Sequence, residues 1–241
     1  MTASSKSKIF TSAEEALHDV FDGARIMAGG FGLSGNAEHC IRALAGCGKK
    51  DFTIISNNCG NQGKGLAVLL QQRQIKKVIA SFVGGNPDLE AQMLSKEVEV
   101  ELNPQGTLAE RMRAGGAGIG GFYTPTGVGT VIAEGKEVRE LDGRRYVFEL
   151  PLKADFGILR ARVGDPYGNL RFYGTSRNFS PLVAMASAVT VVEVEEMVGL
   201  GDLGPDDVHL PGIFVQRIFQ GSNYVDPIEY RTTRPRPEAA T

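Results

Sequence analysis

Short apolar runs alternate with segments of helical periodicity along most of this 241-residue chain. The runs predict buried strands at residues 26–28, 52–56, 78–82, 98–102, 156–159, 189–194 and 213–218. Apolar positions three and four apart predict helices at residues 12–21, 38–45, 65–74, 88–96, 107–114 and 181–187. This alternation is typical of an α/β protein in which helices cover both faces of a mostly parallel sheet.

The pattern changes between residues 123 and 149, where glycine, threonine and short β-prone segments replace the helical periodicity. Segments 128–133 and 146–149 predict strands, and Asp142-Gly143 between them has the composition of a hairpin turn. We therefore expect a small antiparallel flap or sub-sheet beside the main sheet. Residues 1–233 are expected to form one domain, and the polar, proline-containing segment 234–241 to be a disordered tail.

Composition excludes several classes of function. The 26 basic and 28 acidic residues leave a net charge of −2, without the basic excess of a nucleic-acid-binding protein. The chain has neither an apolar run long enough to cross a bilayer nor the apolar core of a signal peptide near its start. Its cysteines, Cys40, Cys47 and Cys59, show neither a paired pattern nor metal-ligand spacing. We expect a cytoplasmic protein that holds no metal and binds neither nucleic acid nor membranes.

A glycine-rich loop connects the first predicted strand to the second predicted helix. It consists of Gly29, Gly30, Phe31, Gly32, Leu33, Ser34 and Gly35. Glycine allows positive φ and close approach by a ligand, and the helix that follows offers unpaired N–H groups to an anion. The spacing also fits a dinucleotide-binding fingerprint, but the acidic residue needed after the second strand is replaced by Asn57-Asn58, which disfavours NAD. A tight turn without a ligand is the structural alternative.

Glycines and neutral amides follow the carboxyl ends of the predicted strands. Asn57 and Asn58 follow the second strand, and Gln105 and Gly106 lie just beyond the fourth. Ligands of open α/β sheets bind at this edge, where amides orient polar groups and stabilise oxyanions but supply neither a nucleophile nor a proton-transfer group. Because the sequence has no recognised nucleophile motif either, it has the character of half an active site.

The predicted helix after the glycine loop begins with two residues that have ionisable side chains. His39 is placed to donate a hydrogen bond to a developing negative charge, or is simply a surface histidine at a helix start. Glu38 contacts substrate or, as we favour, is a first-turn carboxylate stabilised by the helix dipole. Cys59 is interpreted as a small buried residue rather than a reactive thiol, and His18 and His209 as structural or solvent-facing.

Longer motifs give the chain a specific family resemblance. They are Asp22-Gly23, Ile26-Met27-Ala28, Gly29-Gly30-Phe31 with Gly35, Ser56-Asn57-Asn58, and residues 104–111, 113–118, 124–127 and 176–179. Together they resemble the A (alpha) chain of family I coenzyme A transferases of the 3-oxoacid group, over nearly the whole length. Within the signature, Ala37 replaces the usual proline, and His39 replaces an asparagine often found at that position.

The resemblance implies a heteromeric enzyme whose B subunit carries the catalytic glutamate, in a Ser-Glu-Asn-Gly motif that this chain lacks. It implies a ping-pong transfer of coenzyme A (CoA) through a glutamyl-CoA thioester, with CoA as part of the substrate rather than a bound cofactor. It also places His39 at the oxyanion, and Gln105 and the glycine loop near the acyl group and CoA. A heterodimer or an A2B2 heterotetramer is expected.

The substrates implied by the resemblance are succinyl-CoA and acetoacetate, and transferases acting on 3-oxoadipate are similar. A hydrolase or decarboxylase of the same fold remains an alternative, for which a B subunit without the glutamate would be the sign. From another class, a non-catalytic sensor of a small carboxylated or phosphorylated ligand would use the same glycine loop. Such a sensor has little need of two glycine loops and several amide-rich strand ends.

Overall fold

The computed structural model describes residues 7–61 and 63–225. The strands within them are β1 (Arg25–Ala28), β2 (Phe52–Ile55), β3 (Ile75–Ala80), β4 (Glu99–Leu102), β5 (Phe122–Thr124), β6 (Val138–Leu141), β7 (Arg144–Glu149), β8 (Ala154–Gly164), β9 (Leu170–Arg171), β10 (Ser187–Met197) and β11 (Arg217–Gln220). The α-helices are α1 (Ala13–Ala16), α2 (Glu38–Gly46), α3 (Ala67–Gln71), α4 (Pro87–Leu94), α5 (Gln105–Ala117) and α6 (Ser180–Ala186).

The main sheet has the strand order β11-β10-β8-β1-β2-β3-β4, and all neighbours in this order are parallel. The short strand β9 pairs antiparallel with β8. Alternate side chains of β1 enter different cores, with Ile26 packed in the cluster of α1, α2 and α3, and Met27 in that of α5 and α6. The expected α/β fold, mostly parallel with helices on both faces, is confirmed.

A second, three-stranded antiparallel sheet has the order β5-β7-β6. Asp142 and Gly143 join β6 to β7 with φ of 50° and 71°, which are the positive angles of a type I′ hairpin turn. The predicted turn and sub-sheet are therefore confirmed. The predicted strand at 128–133 is wrong, because a 3₁₀ turn occupies Val131–Ala133 after Gly129 takes a positive φ of 78°. The strand joined to β7 by this hairpin turn is instead β6, whose side chains are exposed.

Several element boundaries also differ from the predictions. The strand predicted at 213–218 begins only at Arg217, because a 3₁₀ turn over Gly212–Phe214 follows Pro211. The helices α1 and α3 are shorter than the predicted 12–21 and 65–74. Ser12 caps α1 by accepting the Glu15 N–H at 3.2 Å. The predicted tail, 234–241, lies outside the described residues.

Helix α5 is fixed against the sheet so that its first residue, Gln105, lies at the carboxyl edge. Arg111 donates to Glu101 of β4 at 2.8 Å and to the Leu150 carbonyl at 2.7 Å. Although burial raises the pKa of Glu101, hydrogen bonds from Arg111 and Lys77 hold it down to about 2. The ion pair thus orients α5 over the ordinary pH range.

No helix in the described part of the chain is long and apolar enough to cross a membrane.

Candidate active site at the carboxyl edge of the sheet

Two hairpin tips stand side by side after β1 and β2. In the first tip, Phe31 and Ser34 exchange two backbone hydrogen bonds of 3.0 Å each. In the second tip, Asn61 and Lys64 make the same exchange at 3.1 and 2.9 Å. Phe31 is half exposed, and Ser34 and Lys64 are exposed. The glycine-rich loop predicted to meet a ligand is therefore an open tip with a structurally similar neighbour.

Both tips require glycine, because the backbone has a positive φ there and because a Cβ would collide with neighbouring atoms. A Cβ on Gly30, which has φ +118°, would lie 2.1 Å from Oδ1 of Asn36. A Cβ on Gly60, which has φ +69°, would lie 2.2 Å from the Lys64 carbonyl oxygen. The Asn36 side chain lies between the two tips, since its Nδ2 would also be 2.5 Å from a Cβ on Gly65. The tips therefore form one packed unit.

Asn178 anchors the first tip from the other end of the chain. Its Oδ1 accepts the Gly30 N–H at 2.9 Å, and its Nδ2 donates to the Ser34 carbonyl at 3.2 Å. The sequence places Asn178 within a family motif but indicates no role for it, because the two residues are 148 positions apart in the chain and the contact leaves no local signal. The conformation of the glycine loop thus depends on the turn before α6.

The structure brings two of the predicted amides together. Gln105 donates through Nε2 to Oδ1 of Asn57 at 2.7 Å, and the Ser81 hydroxyl donates to the same oxygen at 3.0 Å. Asn57 and Asn58 are buried, whereas Gln105 and Gly106 are exposed. The buried amide therefore holds an exposed one in place at the sheet edge. Gln105 and Gly106 are the members of this set that are accessible to a ligand.

Two N–H groups in the first turn of α2 are already occupied. Ala37, at the N-cap position, offers no side-chain cap, and the N–H groups of His39 and Cys40 instead donate to Oε2 of Glu193 at 2.9 and 3.0 Å. The N–H groups of His39 and Cys40 are therefore not available to a ligand anion, contrary to what was expected of the start of this helix. The chain's own carboxyl group takes that position, from strand β10. Nothing in the sequence singles out Glu193, because it lies within an apolar strand pattern.

The Glu38 carboxyl group is engaged inside the protein. Its Oε1 lies 3.2 Å from Nη1 of Arg160, and its Oε2 accepts the Val225 N–H at 3.0 Å. Arg160 is itself bound by Glu195 at 2.7 Å and covered by the Tyr224 ring, whose centroid is 3.8 Å from the guanidinium carbon. Glu38 thus links the start of α2 to strand β8 and to the segment after β11.

The His39 ring lies between α2 and the segment that follows β11. Its Nδ1 is 2.9 Å from Nη2 of Arg42, and because a guanidinium only donates, Nδ1 accepts and the neutral ring carries its proton on Nε2. Burial, and then Arg42, lower the pKa of His39, which keeps the ring neutral at pH 7. The Tyr224 ring packs edge-on at 4.9 Å. Within the described residues Nε2 is buried without a hydrogen-bond partner.

The remaining singled-out residues behave as ordinary structural groups. Cys59 is buried, as predicted, and burial raises the pKa of its thiol to about 12, which makes it unreactive. His209 stacks on Phe172 and accepts its N–H at 3.1 Å, and His18 is exposed. Among the described residues, no group of three or more His, Cys, Asp or Glu side chains is arranged to hold a metal ion.

The burial of Glu193 leads to a testable pH dependence. Burial raises the pKa of Glu193 to about 8, against the opposing effects of Arg160 and of the two backbone N–H donors. The folded protein thus binds this proton more tightly than the unfolded chain does. The stabilisation is complete below the unfolded pKa near 4.5 and is lost as the pH rises through about 8.

We therefore expect the free energy of unfolding to fall between pH 5 and 8 more steeply in the wild type than in Glu193→Gln, by on the order of 1 kcal/mol or more. Glutamine mimics the protonated acid and does not titrate. The comparison is made by urea unfolding of the two proteins across this pH range. Parallel pH profiles would show that Glu193 does not hold a proton in the folded state.

Comparisons with known proteins agree over nearly the full chain. The family model described as coenzyme A transferase matches residues 10–221. A Helicobacter pylori protein, named as the A subunit of succinyl-CoA:3-ketoacid coenzyme A transferase, is 52% identical over 227 residues, which are 94% of this chain and 98% of that one. A Bacillus subtilis protein, named as the probable A subunit of the same enzyme, is also 52% identical, over 94% of this chain and 95% of its own length.

Solved structures with the same fold include an acyl-CoA transferase and a decarboxylase. The acyl-CoA transferase YdiF of E. coli O157:H7 superposes with a TM-score of 0.79 at 22% identity, and the match spans 90% of this chain but only 48% of that longer chain. A variant of the decarboxylase AibA/AibB superposes with a TM-score of 0.75 at 25% identity, over 90% of this chain and 84% of that one.

Proposed function

We propose, from the premise that this chain belongs to the coenzyme A transferase family, that it is the A subunit of a heteromeric enzyme moving CoA from succinyl-CoA to acetoacetate or a similar 3-oxoacid. The observation that carries the proposal is the 52% sequence identity, over 94% of this chain, to chains named as A subunits of such enzymes. The name implies a B subunit, which we infer to be an obligate partner in a heterodimer or an A2B2 heterotetramer.

The character of the site supports a division of labour between the two subunits. Among the accessible groups at the carboxyl edge, Gln105, Gly106 and the first tip present an amide, glycines, the Phe31 ring and a hydroxyl, which bind and orient but do not form an acyl intermediate readily. The carboxyl group of Glu38 is engaged with Arg160 and Val225. We therefore assign the nucleophile to a glutamate of the B subunit, as the family resemblance implies.

The proposed reaction is a ping-pong transfer in two halves. The glutamate attacks the thioester carbonyl of the acyl-CoA and expels the CoA thiolate, which leaves an acyl-glutamyl anhydride. The thiolate then attacks the glutamyl carbonyl and expels the product carboxylate, which leaves a glutamyl-CoA thioester. An acceptor carboxylate reverses these two steps. Each attack places negative charge on a carbonyl oxygen, and that charge requires hydrogen-bond donors.

We assign one of these donors to His39. The neutral ring carries its proton on Nε2, so that it offers an N–H where an asparagine amide is often found in the family. In this chain alone Tyr224 packs against the ring and Nε2 is buried. The role therefore requires the segment around Tyr224 to shift when the B subunit and substrate bind.

The ping-pong step is tested by mass spectrometry of the complex after incubation with succinyl-CoA and no acceptor. We expect a CoA adduct on the B subunit and none on this chain, because the thioester accumulates when no carboxylate can take the CoA. Adding acetoacetate should discharge it. A CoA adduct on this chain, or turnover without any adduct, would contradict the assignment of the nucleophile.

A further inference from the structure

Glu193 is fully buried in the middle of strand β10 and belongs to no motif that the family resemblance uses. Its Oε2 accepts two consecutive backbone N–H groups, those of His39 and Cys40, which are the second and third residues of α2. The residue at the N-cap position is Ala37, which has no side chain able to cap the helix. Glu193 therefore serves as the helix cap, from a strand 154 residues away.

The position of α2 matters because this helix continues directly from the glycine loop. Loop residue Gly35 is separated from the start of α2 by only Asn36 and Ala37. Asn36 in turn lies between the two hairpin tips. A displacement of the first turn of α2 therefore moves the His39 ring, which is part of that turn, and also the first tip, which precedes it in the chain.

Replacing Glu193 does not leave the nearby Arg160 guanidinium without a partner. Arg160 lies close enough to affect its pKa, yet it keeps its own partners, Glu38 at 3.2 Å and Glu195 at 2.7 Å, when Glu193 is absent. What Glu193 alone supplies is the acceptor for the two N–H groups of α2. Its contribution is thus local to the start of the helix.

We propose that Glu193 is a positioning residue, whose carboxyl group fixes the first turn of α2 and thereby the catalytic placement of the glycine loop and His39. This inference rests on the proposed function for its effect on turnover, but the contact itself is testable without turnover. A misplacement of about 1 Å in a catalytic group can cost roughly 10²-fold in rate.

The test compares three variants in the complex with the B subunit. Glu193→Leu removes the acceptor and should lower kcat about 10–100-fold, with a smaller effect on KM. Glu193→Gln keeps a carbonyl oxygen for the two N–H groups and should restore kcat to within about fivefold of the wild type. The matched control is Glu195→Leu, which removes a partner of the same Arg160 without touching α2 and should change kcat less than about threefold.

Amide hydrogen exchange at His39 and Cys40 provides a second, independent measurement. Exchange should be faster in Glu193→Leu than in the wild type and Glu193→Gln, and unchanged in Glu195→Leu. Equal kcat for Glu193→Leu and Glu195→Leu in folded complexes would overturn the proposal, as would unchanged exchange at His39 and Cys40. If the wild-type complex transfers no CoA, the proposed function fails, and the exchange measurement alone still decides whether Glu193 holds α2.

Discussion

Replacing His39 with alanine is expected to lower kcat of the complex with the B subunit by about 10²–10³-fold, with KM for the acyl-CoA little changed. The imidazole N–H would stabilise charge that develops only during the attack on the thioester, so that its loss is felt in the transition state and not in substrate binding. The measurement is the initial rate of CoA transfer at saturating succinyl-CoA, with complex formation checked by size-exclusion chromatography.

Two further variants distinguish this role from simple packing. His39→Asn restores the amide often found in the family and should recover most of the lost rate, because an amide N–H also donates. His18→Ala, at an exposed histidine of the same chain, should leave the rate unchanged. If His39→Ala turns over like the wild type, the ring only packs against Tyr224 and Phe219, and another group stabilises the oxyanion.

Replacing Gly60 with alanine should reduce the free energy of unfolding by about 3 kcal/mol and disrupt the second hairpin tip. The left-handed conformation costs an alanine about 1–2 kcal/mol, and the added Cβ would lie 2.2 Å from the Lys64 carbonyl oxygen and 2.5 Å from the Ala67 nitrogen. Both contacts are with backbone atoms, so that the tip itself must move to relieve them. The loss is measured by urea unfolding.

The matched control for this prediction is Gly48→Ala. Gly48 has φ +70°, almost the same as the +69° of Gly60, but a Cβ there would meet no atom within 4 Å. Its cost should therefore be about 1–2 kcal/mol, from the backbone conformation alone. Equal destabilisation by the two substitutions would show that the second tip tolerates a side chain and is not the close-packed unit described above.

The central strands and the glycine loop could be predicted because their signals are local. Strand β1 is an apolar run that ends at Gly29, and the type I′ turn at Asp142-Gly143 follows from the residue types it requires. That amides and glycines lie at the carboxyl edge was also predictable, since they follow the strands in the sequence itself. The contact of Gln105 with Asn57 follows from their places at one edge of a parallel sheet.

What the sequence did not reveal depends on contacts between distant residues. Strand β8 is longer than its predicted apolar run at 156–159 because it includes the buried charged residue Arg160, whose partners lie far along the chain. Strand β10 continues past its predicted run at 189–194 through the charged residues Glu195 and Glu196, and the partners of the buried Glu193 within that run lie far along the chain. Strand β6 was missed for a different reason, since its exposed side chains, with two charged residues between Val138 and Leu141, show neither an apolar run nor an alternating pattern. The capping of α2 by Glu193 combines both difficulties, because neither Ala37 nor the β10 pattern indicates it.

The central claim, that this chain is one half of a CoA-transferase, is tested most directly by purifying it and the B subunit separately and assaying each alone and mixed. The mixture should form acetoacetyl-CoA from succinyl-CoA and acetoacetate, whereas either subunit alone should show only background. Turnover by this chain alone would contradict the account. So would an intact complex that transfers CoA to none of a panel of 3-oxoacids, or that releases free CoA without an acceptor.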